Sequence, residues 1–439
     1  MKNEVSYMLE IKDEYRCFYD TISIYRDVLT FLINVVEDNY DVLETITTNE
    51  KRSMVEHLVH TTEKNEAKYK AFDKKFGCLP FYFMREAINT ALGIVASHRA
   101  NLKLWEEEGR KSKKPRLKVN RNEMPCFYKN RMFRLTEDGD HYACKLKLRI
   151  DNSWDWKEFT FRKTDLEYIE KKGFDLRDAQ CPILVKKGKR FALRFFFTDM
   201  TELASTKDRI LACDIGINHA ATLAVMEEDG TVIARKFVSF PIEEDRLNTI
   251  LNELRRAHSD SACHTCRLNR FSMNYNEALS KKTANAIVET AIAYGCSVIV
   301  MESLKNKMGK KHGKKAYRLS LWRKKDVEKR VERLAHSHGL RFSTVGAINT
   351  SRLAFDGSGV VTRDKKNRSI CTFKTGKVYN CDLSASYNIG ARYFAREIWK
   401  ALPETVASML KANVPELWYG VNCTLSTLID LYAVKAFLS

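Results

Sequence analysis

The sequence predicts a multidomain protein with both α+β and α/β folds. Its 439 residues suggest two to four domains, at roughly 100–200 residues per domain. Apolar residues recur at helical spacing in about the first hundred residues, then at a period of two, and from Arg209 onward predicted strands alternate with helices. The composition, 44% apolar and 11% aromatic, supports buried cores and excludes a wholly disordered basic chain.

The N-terminal part, from about residue 11 to 105, is predicted to be helical. Long stretches lack Pro and Gly. Apolar residues there follow one another at helical steps: Tyr19, Ile22, Tyr25, Val28, Leu29 and Leu32. A break at Phe76–Pro80 precedes a further predicted helix, Phe81–Trp105. The charged segment Glu106–Val119 contains Gly and Pro and is typical of a linker.

Between Cys126 and about Phe197 the pattern changes to a period of two, which predicts strands. The alternation is clearest in Tyr142–Ile150 and in Arg190–Phe197. A short helix is expected near Leu166–Lys171. The segment is therefore predicted to be a compact β-rich module.

From Arg209 onward the pattern predicts an α/β domain. The expected strands are Ile210–Ile217, Ala221–Met226, Val232–Phe240, Ser297–Met301 and Arg341–Val345. The expected helices are Glu243–Ala257, Asn274–Tyr294, Leu319–His338, Leu383–Lys400 and Thr424–Leu438. The turn Glu227–Gly230 joins the second and third strands, so the sheet should begin as an antiparallel meander. Thr350–Cys381 is expected to be loop, and the last helix either packs on this domain or forms a dimer contact.

Basic residues are unevenly distributed along the chain. The formal charge is +19, yet the first 100 residues hold 13 Lys and Arg against 16 Asp and Glu. The segment Lys305–Arg330 holds 12 basic and 2 acidic residues. Clustered positive charge of this kind usually faces a polyanion. The alternatives are a solvated surface, or a signal that directs the protein to the nucleus or to a membrane. The excess of basic residues across a whole domain, with aromatic residues between them, favours nucleic acid as the partner.

The cellular location is predicted from what the sequence lacks. No stretch approaches ~18 consecutive apolar residues, and the N-terminus has no signal-peptide pattern. We therefore expect a soluble cytoplasmic protein with no membrane partner. The 12 cysteines are scattered, mostly in apolar segments, as reduced structural thiols are. Cys263 and Cys266 form a single CxxC, which is a weak zinc signal on its own.

Three acids with apolar neighbours are the best candidates for chemistry. Asp214 lies inside a predicted strand, Glu302 directly follows another, and Asp382 precedes a helix. Burying a carboxylate is costly unless a positive group compensates it. Three converging carboxylates would suit Mg²⁺ or Mn²⁺, and two such ions ~3.5–4 Å apart activate water and stabilise the leaving oxygen of a phosphodiester. The alternatives are a helix N-cap for Asp382 and a salt bridge for Glu302.

Sugar kinases and actin-like ATPases also open with Asp-x-Gly on a first hairpin. In that interpretation Asp356–Gly359 would be the second phosphate loop. It follows no apolar strand of the expected kind, however, and such ATPases rarely carry so basic a segment. We therefore favour a nuclease.

The segments Ile210–Val225, Val298–Leu304 and Tyr379–Gly390 contain the three acids in order, with the basic segment between the second and the third. They resemble the three RuvC motifs of the transposon-encoded TnpB nucleases. The resemblance covers about residues 205–400 and extends to the miniature type V CRISPR effectors related to TnpB. It implies an RNase H-like (RuvC) nuclease domain, preceded by a helical recognition domain and a β-barrel-like wedge domain.

The resemblance also implies domain boundaries. The wedge domain takes residues 1–10 and 115–205, and the recognition domain takes residues 11–114. The nuclease domain takes residues 206–346 and 379–439. A target nucleic-acid-binding insert at 347–378 separates its two parts.

Carried over position by position, the resemblance makes Asp214, Glu302 and Asp382 the catalytic, metal-binding acids. It implies two Mg²⁺ ions, for which Mn²⁺ can substitute. The implied partners are a guide RNA, from a CRISPR array or a transposon, and target double-stranded DNA with a short flanking motif; a homodimer is left open. The implied location is the prokaryotic cytoplasm, at the nucleoid when bound to DNA. A solvated helix face is the alternative for the residues expected to contact nucleic acid: Lys305, Lys307, Arg318, Trp322, Arg323 and Lys324.

The insert departs from the family, which usually has a four-cysteine zinc knuckle between the second and third motifs. Other residues stand at the approximate cysteine positions: Ala354, Gly357, Thr372 and Thr375. Cys371 and Cys381 alone cannot close a tetrahedral four-cysteine site. We therefore expect no zinc, and a lobe held by apolar contacts and hydrogen bonds.

The sequence thus predicts an RNA-guided, Mg²⁺-dependent DNA endonuclease with a two-metal-ion mechanism. An RNA-guided DNA-binding protein that represses or targets without cutting is the alternative, less favoured because none of the three acids is missing. A guide-independent nuclease or junction resolvase is less favoured still, because it would leave the N-terminal half of about 200 residues without a purpose.

Overall fold

The chain forms two compact units. The computed structural model describes residues 2–11, 16–107, 109–110, 113–138, 141–188, 190–203, 209–216, 219–259, 265–303, 324–364, 367, 369–414, 418 and 420–438. One unit is Glu4–Asp199, and the other is Met200–Ser439 with Met1–Asn3. No helix in the described ranges is both long and apolar enough to cross a membrane.

Helices form the N-terminal part of the first unit. They are α1 (Arg16–Asp38), α2 (Tyr40–Glu44), α3 (Thr48–Val59), α4 (Ala71–Phe76) and α5 (Phe81–Glu107). The predicted spacing puts Tyr25, Leu29 and Leu32 on the buried face of α1. A capping box starts α3, in which Thr47 and Glu50 each accept the other's backbone N–H. These helices therefore follow the pattern read from the sequence.

The β-rich part of this unit forms two three-stranded sheets. Its elements are β1 (Lys2–Glu10), β2 (Phe133–Asp138), β3 (His141–Ile150), β4 (Ser153–Thr160), α6 (Lys163–Lys171), β5 (Ile183–Lys187) and β6 (Arg190–Met200). One sheet is β2–β3–β4, and the other has the order β1–β6–β5. Ile11 joins them: it bridges to Phe161, and its N–H donates to the Phe191 carbonyl at 3.1 Å. The predicted β-rich module is thus present as two joined sheets, with no closed barrel among the described residues.

The helices and sheets of the first unit share one apolar core. The ring of Phe18 in α1 lies 5.0 Å from the ring of Phe159 in β4 and 5.0 Å from that of Phe191 in β6, measured between centroids. Tyr25 packs edge-on against Phe83 of α5 at 5.4 Å. The buried face of α1 therefore contacts both the second long helix and the strands.

A mixed five-stranded sheet lies at the centre of the second unit. Its strands are β7 (Ile210–Asp214), β8 (Ala221–Met226), β9 (Val232–Val238), β10 (Val298–Glu302) and β11 (Arg341–Val345). The order is β11–β10–β7–β8–β9. The first three strands form the predicted antiparallel meander, and β10 and β11 run parallel to β7. This sheet agrees with the predicted RNase H-like domain.

Helices cover both faces of this sheet. They are α7 (Pro241–Ser259), α8 (Thr265–Ala293), α9 (Lys324–Ser337) and α10 (Cys381–Ala401). Ile210 and Ala212 of β7 pack with residues of α10. Leu211 and Cys213 pack with residues of α8 and α9 on the opposite face. Because both faces are covered, β7, β8 and β10 are continuous apolar runs rather than alternating ones.

The insert contains a small sheet where the sequence predicted loop. Its strands β12 (Thr362–Arg363), β13 (Ile370–Thr372) and β14 (Val378–Asn380) are antiparallel. They are two or three residues long, too short for a periodic pattern to be detected. The prediction of loop for all of Thr350–Cys381 is therefore wrong at these strands.

The C-terminal tail packs within the second unit. It contains α11 (Glu404–Asn413) and α12 (Leu425–Leu438). Leu428 and Leu431 of α12 are fully buried with residues of α10. Lys435 forms an ion pair with Glu228 at 2.7 Å, in the turn between β8 and β9. Of the two roles left open for this helix, the structure shows packing on the domain.

Candidate active site

Asp214 and Glu302 lie side by side at one end of the sheet. Cys213 and Met301 are paired in the parallel register of β7 and β10, and each acid is the next residue of its strand. Neighbouring strands are about 4.8 Å apart, so the two backbones approach closely. Both side chains point to the α10 face, because they alternate with Cys213 and Met301, which pack on the other face. Asp214 is 9% exposed.

The third acid, Asp382, lies in the first turn of α10. Asn380 is the N-cap of this helix: its side-chain oxygen accepts the N–H groups of Asp382 and Leu383 at 3.0 and 2.9 Å. The predicted N-cap role of Asp382 is therefore wrong, because the residue two positions earlier satisfies the helix end. The carboxylate of Asp382 does not cap the helix, and it can serve the site.

Gly216 allows Asp382 to approach the end of β7. A Cβ at Gly216 would lie 3.8 Å from Oδ2 of Asp382 and 2.9 Å from the carbonyl oxygen of His219. Gly216 follows Asp214 by two residues. The first turn of α10 thus lies beside the chain that follows β7.

Two positive groups face Asp382. Burial raises the pKa of the Asp382 carboxyl, and His219 and Arg363 act in the opposite direction. Arg363 is an exposed residue of β12 whose guanidinium donates to the Ser351 carbonyl at 3.0 Å. Burial is the larger effect, so the pKa of the Asp382 carboxyl lies above its usual value.

A series of buried hydrogen-bonding groups holds the side chain of Glu302. The hydroxyl of Thr350, which is 1% exposed, donates to Oε1 of Glu302. The Thr350 carbonyl in turn accepts the side-chain amide of Asn388 of α10 at 3.0 Å. The orientation of Glu302 therefore depends on α10 as well as on its own strand.

Asn388 and Arg392 are structural residues of the site that sequence reasoning missed. Asn388 is fully buried; besides Thr350, its amide donates to the Leu353 carbonyl, and its oxygen accepts the N–H of Leu425. Arg392, 3% exposed, donates to four carbonyl groups, those of Gly346, Ile348, Val421 and Cys423. Two polar residues four positions apart in the otherwise apolar stretch Tyr387–Phe394 were the signal that could have found them.

Arg392 also interacts electrostatically with Glu302. Burial lowers the pKa of Arg392, whereas Cys423 and Glu302 raise it. A guanidinium that donates to four neutral carbonyls in the interior keeps its charge. A buried positive group thus lies within electrostatic reach of Glu302.

The donor set fits a hard divalent cation. Three carboxylates offer oxygen ligands only, which is the preference of Mg²⁺ and Mn²⁺. In the described residues, no three His, Cys, Asp or Glu side chains are already close enough together to hold a metal ion. The backbone positions converge, while the side chain of Glu302 is engaged by Thr350. The metal-binding role of Asp214, Glu302 and Asp382 therefore stays a prediction.

The residues predicted to contact nucleic acid lie largely outside the described part of the chain. This applies to Lys305, Lys307, Arg318, Trp322 and Arg323, all in the segment 304–323. Lys324 is the first residue of α9. Their roles remain predictions.

The insert holds together through an aromatic and thiol cluster. Cys371 and Cys381 are buried with Ala354 and Phe373. Burial raises the pKa of the Cys371 thiol to about 12, and a hydrogen bond with Cys381 adds to this. Apolar contacts of the predicted kind are thus present, and the expectation that the lobe binds no zinc remains a prediction. Of the CxxC pair, Cys266 is exposed on α8, and Cys263 lies outside the described residues.

Comparisons with known proteins place the fold. Residues 5–150 match the Aq_aa04 family. No curated protein matches the chain in sequence. The structure is similar to a Cas12f1–sgRNA–target DNA complex solved by cryo-EM, with a TM-score of 0.51 and 14% identity over 88% of this chain and 98% of that one. It is also similar to the mini-RNA-guided endonuclease CRISPR-Cas_phi3, with a TM-score of 0.53 and 11% identity over 88% and 92%.

At these identities the likeness concerns the fold alone. It spans most of this chain and nearly all of each compared chain. The multidomain α+β and α/β architecture predicted from the sequence is therefore confirmed. The fold is one that miniature RNA-guided effectors share.

Proposed function

We propose that the protein is an RNA-guided DNA endonuclease that hydrolyses phosphodiester bonds of guide-matched DNA with two Mg²⁺ ions. One observation carries the proposal: Asp214 and Glu302 end adjacent parallel strands in register, and Asp382 approaches the same strand end across Gly216. The segments that carry the three acids come from distant parts of the sequence and converge at one end of these strands. Such a set suits metal-dependent cleavage of a polyanion.

Asp214, Glu302 and Asp382 would hold the ions, which supply an activated water and stabilise the leaving oxygen. The chain's own residues prepare the site. Thr350 orients Glu302, and Asn380 fixes the helix turn that carries Asp382. Arg363 is exposed beside Asp382, where its guanidinium can bind a phosphate of the strand being cut.

The proposed partners are a guide RNA and a target DNA duplex with a short flanking motif. The formal charge of +19, concentrated after residue 100, supports a polyanionic partner. The structure with a TM-score of 0.51 is described as a complex with sgRNA and target DNA. Base pairing with the guide would then read most of the target sequence.

Cleavage of a guide-matched duplex tests the proposal. RNA that co-purifies with the full chain is sequenced, and a DNA duplex matched to it is incubated with the complex and Mg²⁺. We expect cutting by the wild type and none by Asp214→Ala. Glu253→Ala, which removes an exposed acid of α7, is the matched control and should cut normally.

The same experiment distinguishes the proposed function from the alternative function. Guide-dependent binding of the duplex without cutting in Mg²⁺ or Mn²⁺ would support an RNA-guided binding protein instead. Cutting that survives Asp214→Ala would contradict the proposed site. Cutting of unmatched DNA at an equal rate would contradict guidance by RNA.

A further inference from the structure

Phe237 lies in the same transverse row of the sheet as Asp214. Asp214 of β7 pairs with Thr222 of β8, and Thr222 pairs with Phe237 of β9. Residues paired in this way project on the same face, and the strands are 4.7–4.9 Å apart. The backbone of Phe237 is therefore about 10 Å from that of Asp214. With Glu302 on the other side, the row runs from the acids to the edge of the sheet.

The aromatic ring at the end of this row is open to solvent. Phe237 is 42% exposed on β9, the outermost strand of the sheet. Thr222, between Phe237 and Asp214, is 1% exposed. The exposed ring of Phe237 is therefore accessible to a ligand on the face that carries Asp214.

His219 extends the surface of Phe237 toward the acids. The two rings are 4.9 Å apart between centroids. Nδ1 of His219 is 2.7 Å from the hydroxyl oxygen of Ser239, which fixes the imidazole plane. The carbonyl oxygen of His219 is close to Gly216, which also lies beside Asp382. The two rings thus form a rigid aromatic surface that begins where the acid site ends.

Positive charge accompanies these rings on the same side of the sheet. Arg235 precedes Phe237 by two residues, so it projects on the same face, and it is exposed. Its guanidinium interacts with the hydroxyl groups of Tyr387 and Tyr379, which raises the pKa of Arg235. An exposed cation held in place beside an aromatic surface is the combination that single-stranded nucleic acid prefers.

We propose that Phe237 and His219 form a stacking platform for a base of the DNA strand next to the bond that the acids cut, and that Arg235 faces the phosphates of that strand. The proposal rests on the proposed function, because it places a cleavable strand at the acids. A platform about 10 Å from Asp214 holds a nucleotide close to the scissile bond while leaving that bond at the carboxylates. Stacking is tolerant of sequence, as a guided nuclease requires.

Binding of a fluorescent single strand tests the platform without relying on cleavage. The full chain with its co-purified RNA is titrated against a single-stranded DNA of about 16 nucleotides that contains 2-aminopurine, whose fluorescence falls when the base stacks. We expect Phe237→Ala to weaken binding roughly tenfold and to remove the quenching. Phe237→Trp keeps a stacking surface and should bind like the wild type.

Phe271→Ala is the matched control. Phe271 is 43% exposed in the same unit and contacts Tyr275, so its removal deletes a similar area away from the acids. It should leave both binding and quenching unchanged. Thermal melting of each variant confirms that the comparison is made between folded proteins.

The possible outcomes distinguish a failure of the stacking proposal from a failure of the proposed nuclease function. Equal binding and quenching by Phe237→Ala and the wild type, or no binding by the wild type, would overturn the platform. Binding that is independent of Phe237 together with normal Mg²⁺-dependent cutting would overturn the platform and keep the nuclease. Phe237-dependent quenching by a wild type that never cuts would keep the platform and overturn the nuclease.

Discussion

Glu302 and Asp214 end neighbouring parallel strands, each one residue beyond the paired Met301 and Cys213. α10 brings Asp382 close to the end of β7, and Arg392 of the same helix interacts electrostatically with Glu302. The register of two strands and the position of one helix therefore bring three acids from distant parts of the sequence to one end of the sheet.

Removal of the Asn380 cap should separate stability from activity. Asn380→Ala should lower the free energy of unfolding of the second unit by about 1 kcal/mol, because two helix N–H groups lose their acceptor. DNA cleavage should fall further than this loss explains, since the cap fixes the turn that holds Asp382. Thr47→Ala, which removes the α3 cap, is the control: similar loss of stability, unchanged cleavage. Equal cleavage by both variants would contradict the role of Asn380.

A side chain at Gly216 should disturb the site. In Gly216→Ala the new Cβ meets the backbone carbonyl of His219 at 2.9 Å, so the backbone beside Asp382 must shift. We expect the cleavage rate to fall roughly tenfold or more. Gly93→Ala provides the comparison, because a Cβ there meets nothing within 4 Å. Single-turnover cleavage measures both, and an unaffected Gly216→Ala would show that this approach is unimportant.

Loss of the Arg392 guanidinium should destabilise the second unit strongly. Arg392→Met leaves four carbonyl groups without their donor. We expect a loss of about 3 kcal/mol in the free energy of unfolding. Denaturant unfolding of Arg392→Met and of Arg333→Met, an exposed residue of α9, measures the difference. A loss no larger than that of Arg333→Met would argue against the buried network.

Glu86 should make the stability of the first unit depend on pH. Burial raises its pKa from 4.5 to about 7, although a hydrogen bond with Thr90 lowers it. The folded state therefore holds this proton more tightly than the unfolded state, so stability falls as the pH rises from about 4.5 to 7 and then levels off. The full effect is about 3 kcal/mol.

Hydrogen exchange in α5 across this pH range measures the effect. Glu86→Gln should remove the slope, because no proton is released. Glu107→Gln, at the exposed end of α5, should keep it. A wild type whose exchange-derived stability is flat between these pH values would contradict the assignment.

Strands and helices with a strong periodic pattern were predicted well from the sequence. The bounds of Ala221–Met226 and Arg341–Val345 are confirmed. The strand that carries Asp214 was predicted to reach Ile217, but β7 ends at Asp214, and residue 217 lies outside the described residues. Helix α8 begins at Thr265 rather than at the predicted Asn274. Periodicity identifies an element, whereas tertiary contacts decide where it ends.

The site was only partly predictable for the same reason. The three acids could be named because each lies within or directly beside an apolar element that the pattern reveals. Arg363, His219 and Asn388 could not, because their roles depend on contacts across the fold. The alternative role of Asp382 as an N-cap could be excluded only in the structure, where Asn380 caps the helix.

The most direct measurement is cleavage of a guide-matched DNA duplex by the wild type and by Asp214→Ala, each with its co-purified RNA and Mg²⁺. The account predicts that the wild type cuts only the matched duplex and that Asp214→Ala binds this duplex with unchanged affinity but does not cut it. Cleavage by Asp214→Ala at the rate of the wild type would contradict the assignment of the acid site.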